Sequence, residues 1–245
     1  MLQDPYSSLN QAHDTAVIVG DPITVHRAVR RGRERDEMVV ELLAQVGLSA
    51  DFLHRYPAQM SGGQRQRVSL ARALAVHPDL IIADEATSAL DVSIQSQVIN
   101  LLRRVQREQH VALLVIAHDL EVVRHISDEV GVMYLGSLVE RGGTDDLYRA
   151  PTHPYTAMLI ASIPVPDPAE QAERRAVRRR VAIDAEPPSP ADLPPGCPFA
   201  NRCPLAMDVC HTERRPKYGR GTGAPCGVTH TRPARRSAAP ISPIS

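Results

Sequence analysis

Met60-Ser61-Gly62-Gly63-Gln64-Arg65-Gln66-Arg67, with Leu80-Ile81-Ile82-Ala83-Asp84-Glu85 downstream of it, is the stretch on which the fold reading turns. Two glycines stand behind a serine and open a helix. Ser61 is a favourable N-cap, and Gln64, three positions on, completes a capping-box pattern. A helix start of this kind leaves backbone N–H groups unpaired and a positive dipole end outward, which suits an anion such as a phosphate. Glycine lets the backbone approach such a ligand with no Cβ in the way. The apolar run at 80–83 then ends in two adjacent carboxylates. A buried strand delivers a metal-binding Asp and a water-orienting Glu to a sheet edge in this way. Taken singly, the first half is an ordinary helix cap and the second a common strand end. Their succession is what carries information.

A chain of 245 residues can hold one ordinary domain plus an appendage and bury a real core. Its 28 basic and 28 acidic residues cancel, so no general attraction to nucleic acid or anionic lipid is implied. Lys217 is the only lysine, which we read as coding bias. Aromatic residues make up 3% of the chain, so the core must rest on Leu, Ile, Val and Ala. The longest apolar run, Val111 to Ala117, is far too short to span a bilayer. No charged-then-apolar leader opens the sequence. The expectation is a protein that is soluble, or peripheral on a membrane through a partner.

Val39, Leu42, Leu43 and Val46 form the apolar stripe of an amphipathic helix over 36–46 that ends at Gly47. The helix opened by Gly62-Gly63 runs to about Ala75 and is closed by His77-Pro78. Arg65, Arg67 and Arg72 on it could reach phosphates, but helical arginines are more often solvated or salt-bridged. Leu80–Ala83 reads as a parallel strand buried on both faces. Asp91 caps the next helix, whose stripe is Ile94, Val98, Leu101, Leu102 and Val105. Val111–Ala117 is a second parallel strand that delivers His118 to its C-terminal end, where open α/β sheets bind ligands. Val130–Leu135 and Ser137–Glu140 read as a strand pair turning at Gly136, followed by short helices at 144–149 and 155–162. The prolines and arginines of 163–195 read as a semi-stiff linker. Cys197, Cys203, Cys210 and Cys226 are separated by five, six and fifteen residues, all within the final fifty. With no signal peptide, disulfides are disfavoured. Clustered thiols suit a metal site holding a small module with little core of its own, and reduced thiols are the plain alternative.

Ser61–Gln64 and Leu80–Glu85, at this spacing, resemble the signature loop and Walker B strand of the ABC transporter ATPases. Gln3-Asp4-Pro5-Tyr6-Ser7-Ser8-Leu9-Asn10 is similar to a stretch of the oligopeptide branch in which the glutamine is the Q-loop residue. Gln11 follows where that branch has proline. Thr87-Ser88-Ala89-Leu90-Asp91 resembles the D-loop, with Ala86 in place of the usual proline, and His118-Asp119-Leu120 resembles the switch-histidine segment. His153-Pro154-Tyr155-Thr156 resembles a marker of the oligopeptide, dipeptide and nickel importer branch, and we expect it to position the C-terminal extension. Cys-Pro-Phe at 197–199 and Cys-Pro-Leu at 203–205 resemble that branch's C-terminal region.

The resemblance implies an α/β, partial P-loop NTPase fold with a mostly parallel sheet, a helical subdomain at about 22–77 and a cysteine-rich C-terminal module. The implied domains are 1–162 (ATPase), 163–195 (linker), 196–230 (cysteine module) and 231–245 (tail). ATP and Mg²⁺ are the implied cofactors. Glu85 and His118 would act on the attacking water, and Asp84 and Gln3 would hold Mg²⁺. Ser61, Gly62, Gly63, Gln64, Gln3 and Asp91 would serve the nucleotide, with the signature residues reaching across to a second ATPase subunit. Cys197, Cys203, Cys210 and Cys226 would hold a 4Fe–4S cluster, or zinc. The partners implied are that second subunit, two membrane permease subunits and, indirectly, an extracytoplasmic substrate-binding protein, with no nucleic acid. The protein would work as a peripheral subunit on the cytoplasmic face of the membrane, energising uptake of peptides or related solutes.

No G-x-x-x-x-G-K-[ST] occurs in the sequence. No segment therefore cradles the α- and β-phosphates. The chain starts about where the family's Q-loop lies, so we expect an N-terminal truncation, real or from a misplaced start. We also expect no ATP hydrolysis by the chain alone, which steady phosphate release from purified protein would refute. The competing reading is a non-catalytic subunit that completes a partner's site, or a non-functional fragment.

Overall fold

A computed structural model describes residues 8–26, 29–85, 91–169, 171–172, 174–175, 188–189 and 193–213. Gln3, the 86–90 segment, Cys226 and the tail expected at 231–245 lie outside the described residues. The chain divides into two compact units, Met1–Asp128 and Glu129–Ser245.

The first unit starts with α1 (Thr15–His26) and α2 (Arg33–Gln45), which pack on each other and on α3 (Gly62–Leu74). The stripe read from the sequence is the buried one. Val39, Leu42, Leu43 and Val46 lie in the core, and α2 ends at Gly47, whose φ of +72° suits glycine. α3 begins at the Ser61 cap and gives way to His77, also left-handed, before Pro78. β1 (Leu80–Asp84) and β2 (Ala112–Ile116) pair in parallel, from Leu80 opposite Ala112 to Asp84 opposite Ile116. Between them runs α4 (Val92–Gln109), which buries Val98, Leu101, Leu102 and Val105. These residues share one core with Ile81, Val111 and the buried side of α3. After β2 comes α5 (Leu120–Ile126).

One expectation fails here. β1 is not buried on both faces. Ile81 is 3% exposed, whereas Leu80 and Ile82 are 50% and 47% exposed, and Leu114 and Ile116 on β2 are 50% and 48% exposed. An unbroken apolar run hides the alternation. The strand has an apolar residue at each position before Asp84, yet the helices of this unit cover only one of its faces.

In the second unit β3 (Glu129–Tyr134) and β4 (Ser137–Gly143) form an antiparallel hairpin. Leu135 and Gly136 both have positive φ, which gives the two-residue turn a twist that matches the strands. α6 (Thr144–Arg149) and α7 (Pro154–Ala161) follow, and α8 (Asp208–Thr212) comes later in the chain. Tyr134, Tyr155, His153 and Phe199 make an aromatic cluster, with Tyr134 and Phe199 edge-to-face at 5.3 Å between ring centroids. His153 also caps α7 by accepting the Tyr155 N–H, and Pro154 occupies the first helical turn, where its missing donor costs nothing. His153 and Tyr155 of the His-Pro-Tyr-Thr string thus pack on the segment containing Phe199. The expectation of a small module with little core of its own, held by a metal, is corrected in part: Phe199, 1% exposed, packs the cysteine segment against the hairpin and α7, and Cys197 and Cys203 pack around the same cluster. Among the described residues, no helix is long and apolar enough to cross a membrane.

Candidate functional site

The parallel pairing of β1 and β2 brings their C-terminal ends to one edge. Asp84 is the last residue of β1, and its half-buried carboxylate makes no ion pair among the described residues. That is a fitting donor for a hard cation such as Mg²⁺, which prefers one or two carboxylates and otherwise water or phosphate oxygens. Glu85 extends the ladder by one bond, its N–H donating to Ile116 O at 2.8 Å. Its φ of +46° then turns the backbone out of the strand, in a region where non-glycine residues are uncommon and which clusters at functional sites. His118, two residues past the end of β2, places its Nδ1 3.5 Å from Glu85 Oε1. The pair is accessible, with 69% of the His118 and 30% of the Glu85 side chain exposed. A carboxylate and an imidazole held face to face at an open strand edge can orient a water and exchange a proton with it.

Sequence reasoning passed over the bonds made by Asp119, the residue that follows His118. Asp119 Oδ1 caps α5 by accepting the N–H groups of Glu121 at 2.9 Å and Val122 at 3.3 Å. Its Oδ2 accepts from Gln95 Nε2 of α4 at 3.3 Å. The cap was legible, since an Asp before Leu-Glu-Val is an ordinary helix start. The reach from Gln95 was not, because 24 residues separate the two.

The Ser61 loop forms a second, distinct group. Both halves of the capping box are present: Ser61 N–H donates to Gln64 Oε1 at 2.9 Å, and Gln64 N–H donates to Ser61 Oγ at 3.4 Å. Ser61, Gly63, Gln64, Phe52, Ile94 and Gln97 border a pocket of about 490 Å³. None of Asp84, Glu85 or His118 lines it. Gly63 has a role beyond admitting a ligand, since a Cβ there would fall 2.6 Å from Ile94 Cγ2, so the glycine lets α3 close on α4. Asp91 is the N-cap of α4, but its side chain makes no cap bond, leaving the carboxylate exposed.

The arginines following this loop have structural partners. Arg65, buried, donates from Nε to Pro57 O at 2.7 Å. Arg67 donates to Val46 O and to Gln97 Oε1. Arg72 donates to Ser8 O at 2.9 Å, and burial pulls its guanidinium below the usual arginine range. These side chains satisfy backbone carbonyls left over at helix ends and turns.

The three described cysteines do not make a metal centre. Cys197 N–H donates to Cys210 O at 2.7 Å, so these two backbones touch. Even so, no group of three or more His, Cys, Asp or Glu side chains among the described residues is placed to hold a metal ion. The expected iron–sulfur or zinc site is therefore not supported, and Cys226 lies outside the described residues.

Residues 5–88 match the ABC transporter family, and residues 139–210 match the family described as oligopeptide/dipeptide transporter, C-terminal region. A probable peptide ABC transporter ATP-binding protein of Sinorhizobium fredii is 48% identical over 99% of this chain and 66% of its own length. The oligopeptide transport ATP-binding protein AppF of Bacillus subtilis is 50% identical over 89% of this chain and 64% of its own. For the oligopeptide transport ATP-binding protein OppF of Escherichia coli the values are 45%, 87% and 63%. The chain thus spans slightly less than two thirds of the length of these relatives. Among solved structures, the dimeric ATP-binding cassette MJ0796, in a post-hydrolysis state with ADP and Pi, superposes with a TM-score of 0.51 at 30% identity. The match covers 58% of this chain and 61% of that one.

Proposed function

The chain belongs to the ATP-binding proteins of ABC transporters, in their oligopeptide branch, and from that premise we propose that it is the ATPase component of an importer for peptides or related small solutes. The observation that carries the reading is the Asp84–Glu85 pair at the end of β1 with His118 Nδ1 3.5 Å from Glu85 Oε1. In this reading Asp84 holds Mg²⁺ at the nucleotide, Glu85 orients and deprotonates the attacking water, and His118 steadies Glu85 and the γ-phosphate. ATP and Mg²⁺ supply a phosphoryl transfer whose charge develops beside these groups. Gln3 and Asp91 would complete the surroundings of the nucleotide.

Ser61, Gly62, Gly63 and Gln64 form a separate helix start, which suits a γ-phosphate presented by a second subunit. That arrangement implies a dimer of ATP-binding subunits. The dimeric state of the solved relative supports it. The pair would sit on two permease subunits at the cytoplasmic face of the membrane, with an extracytoplasmic binding protein delivering the solute.

The test supplies the phosphate-cradling loop that these 245 residues lack. The chain is assembled in proteoliposomes with permeases and a P-loop-bearing segment from a Bacillus relative, and phosphate release is followed. Replacing Glu85 by Gln should lower release by roughly 10²–10⁴-fold, the range for loss of a general base. An unchanged rate would remove Glu85 from the chemistry and the reading with it.

A further inference from the structure

We propose that Gln95 is a positioning residue for the reaction, holding His118 opposite Glu85 by way of Asp119. The proposal deepens the reading of His118 as a switch residue and rests on it. His118 is 69% exposed at the side chain, and its Nδ1 contact with Glu85 is long, so that contact alone leaves the ring free to swing. What limits the swing is the backbone immediately after it. Asp119 is tied at both carboxylate oxygens. Oδ1 accepts the Glu121 and Val122 N–H groups, which fixes Asp119 to the first turn of α5. Oδ2 accepts from Gln95, which fixes the same carboxylate to the first turns of α4, where Gln95 N–H also closes on Asp91 O.

The consequence is a bridge between two helix starts. Without the Gln95 bond, Asp119 is held from α5 alone, and its carboxylate rotates about the cap. With the bond, the Cα of Asp119, and hence the direction in which the preceding residue leaves β2, is set from two sides. A displacement of α4 at its Asp91 end would then be passed to His118 through one side-chain hydrogen bond. Pre-organised groups lose catalytic effect when misplaced by about 1 Å.

The chain itself is the sample and no nucleotide is needed. The two ring nitrogens of His118 are read by nitrogen NMR at about pH 8, where an ordinary imidazole is neutral. Nδ1 facing Glu85 should hold the proton, so the wild type should show a split pattern dominated by one tautomer. Gln95→Glu sets two carboxylates against each other, and Gln95→Leu removes the donor. Both should lose this split and show that of a free imidazole, in which the other tautomer, with the proton on Nε2, predominates.

The double variant Gln95→Glu, Asp119→Asn should regain the split. Asn still caps α5 through Oδ1 and donates from Nδ2 to the new carboxylate. A purely packing role for Gln95 would not be restored by this exchange of donor and acceptor. The proposal is overturned if either single variant keeps the wild-type split, or if the double variant fails to recover it. Loss of phosphate release in the reconstituted importer is a separate readout. It bears on the ATPase reading and leaves the His118 pattern untouched.

Discussion

Ile81 and Ile82 are neighbours on one strand, and the structure assigns them opposite fates. Ile81 is 3% exposed and belongs to the core with α3 and α4, whereas Ile82 is 47% exposed on a face no helix of this unit covers. Truncating each to Ala removes three carbons and the same β-branched strand preference, so the preference cancels in the comparison. At Ile81 the cost is the lost transfer energy plus a cavity, about 2–5 kcal/mol. At Ile82 no cavity forms. Three methylene equivalents at about 0.8 kcal/mol each would cost about 2.4 kcal/mol if fully buried, and half burial leaves about 1 kcal/mol. The expected difference is therefore about 1–4 kcal/mol between adjacent residues of the same type. In urea, with a slope near 2 kcal/mol/M, that separates the two unfolding midpoints by roughly 0.5–2 M. Circular dichroism of both variants and the wild type measures it. Equal shifts would refute the reasoning, because they would mean that the Ile82 face is covered in solution as thoroughly as the Ile81 face.

Gly63→Ala should destabilise the first unit by about 1–3 kcal/mol through overpacking, since its new Cβ would lie 2.6 Å from Ile94 Cγ2. Adding Ile94→Ala, which removes that methyl, should recover part of the loss in a thermal melt, and a strictly additive double variant would show that the two residues do not compete for space. In the second unit, the hydrogen bond and the charge of Arg141 hold the Glu129 carboxyl below the usual carboxylate range. A depressed folded value favours the folded state above the unfolded-chain value of about 4.3, and the benefit is lost as pH falls through the lower folded value. Arg141→Ala should therefore return the Glu129 midpoint to the ordinary range in a carbon NMR titration, and an unmoved midpoint would show that the pairing is not formed in solution.

The sequence by itself determined many of the elements and most of the candidate site, although it was not read as giving α1 or α5. Period and punctuation placed α2, α3 and α4, the two parallel strands and the hairpin turning at Gly136, because caps, prolines and positive-φ turns act over a few residues. The Ser61–Gln64 box and the carboxylates ending β1 were legible for the same reason. Only the tertiary structure decided what those elements meet. The unbroken apolar run at 80–83 carries no mark of which face is covered, so Leu80 and Ile82 read as core and stand exposed. The arginines of α3 read as candidate phosphate ligands or solvated charge and are instead tied to carbonyls as far off as Ser8. Cysteine spacing pointed to a metal, while Phe199, packed among Tyr134, Tyr155 and His153, is what fastens that segment. The Gln95–Asp119 bond joins residues far apart in the chain. Local chemistry is written in neighbouring residues, but coverage and long-range pairing depend on which surfaces the fold brings together, and no short window of sequence contains that.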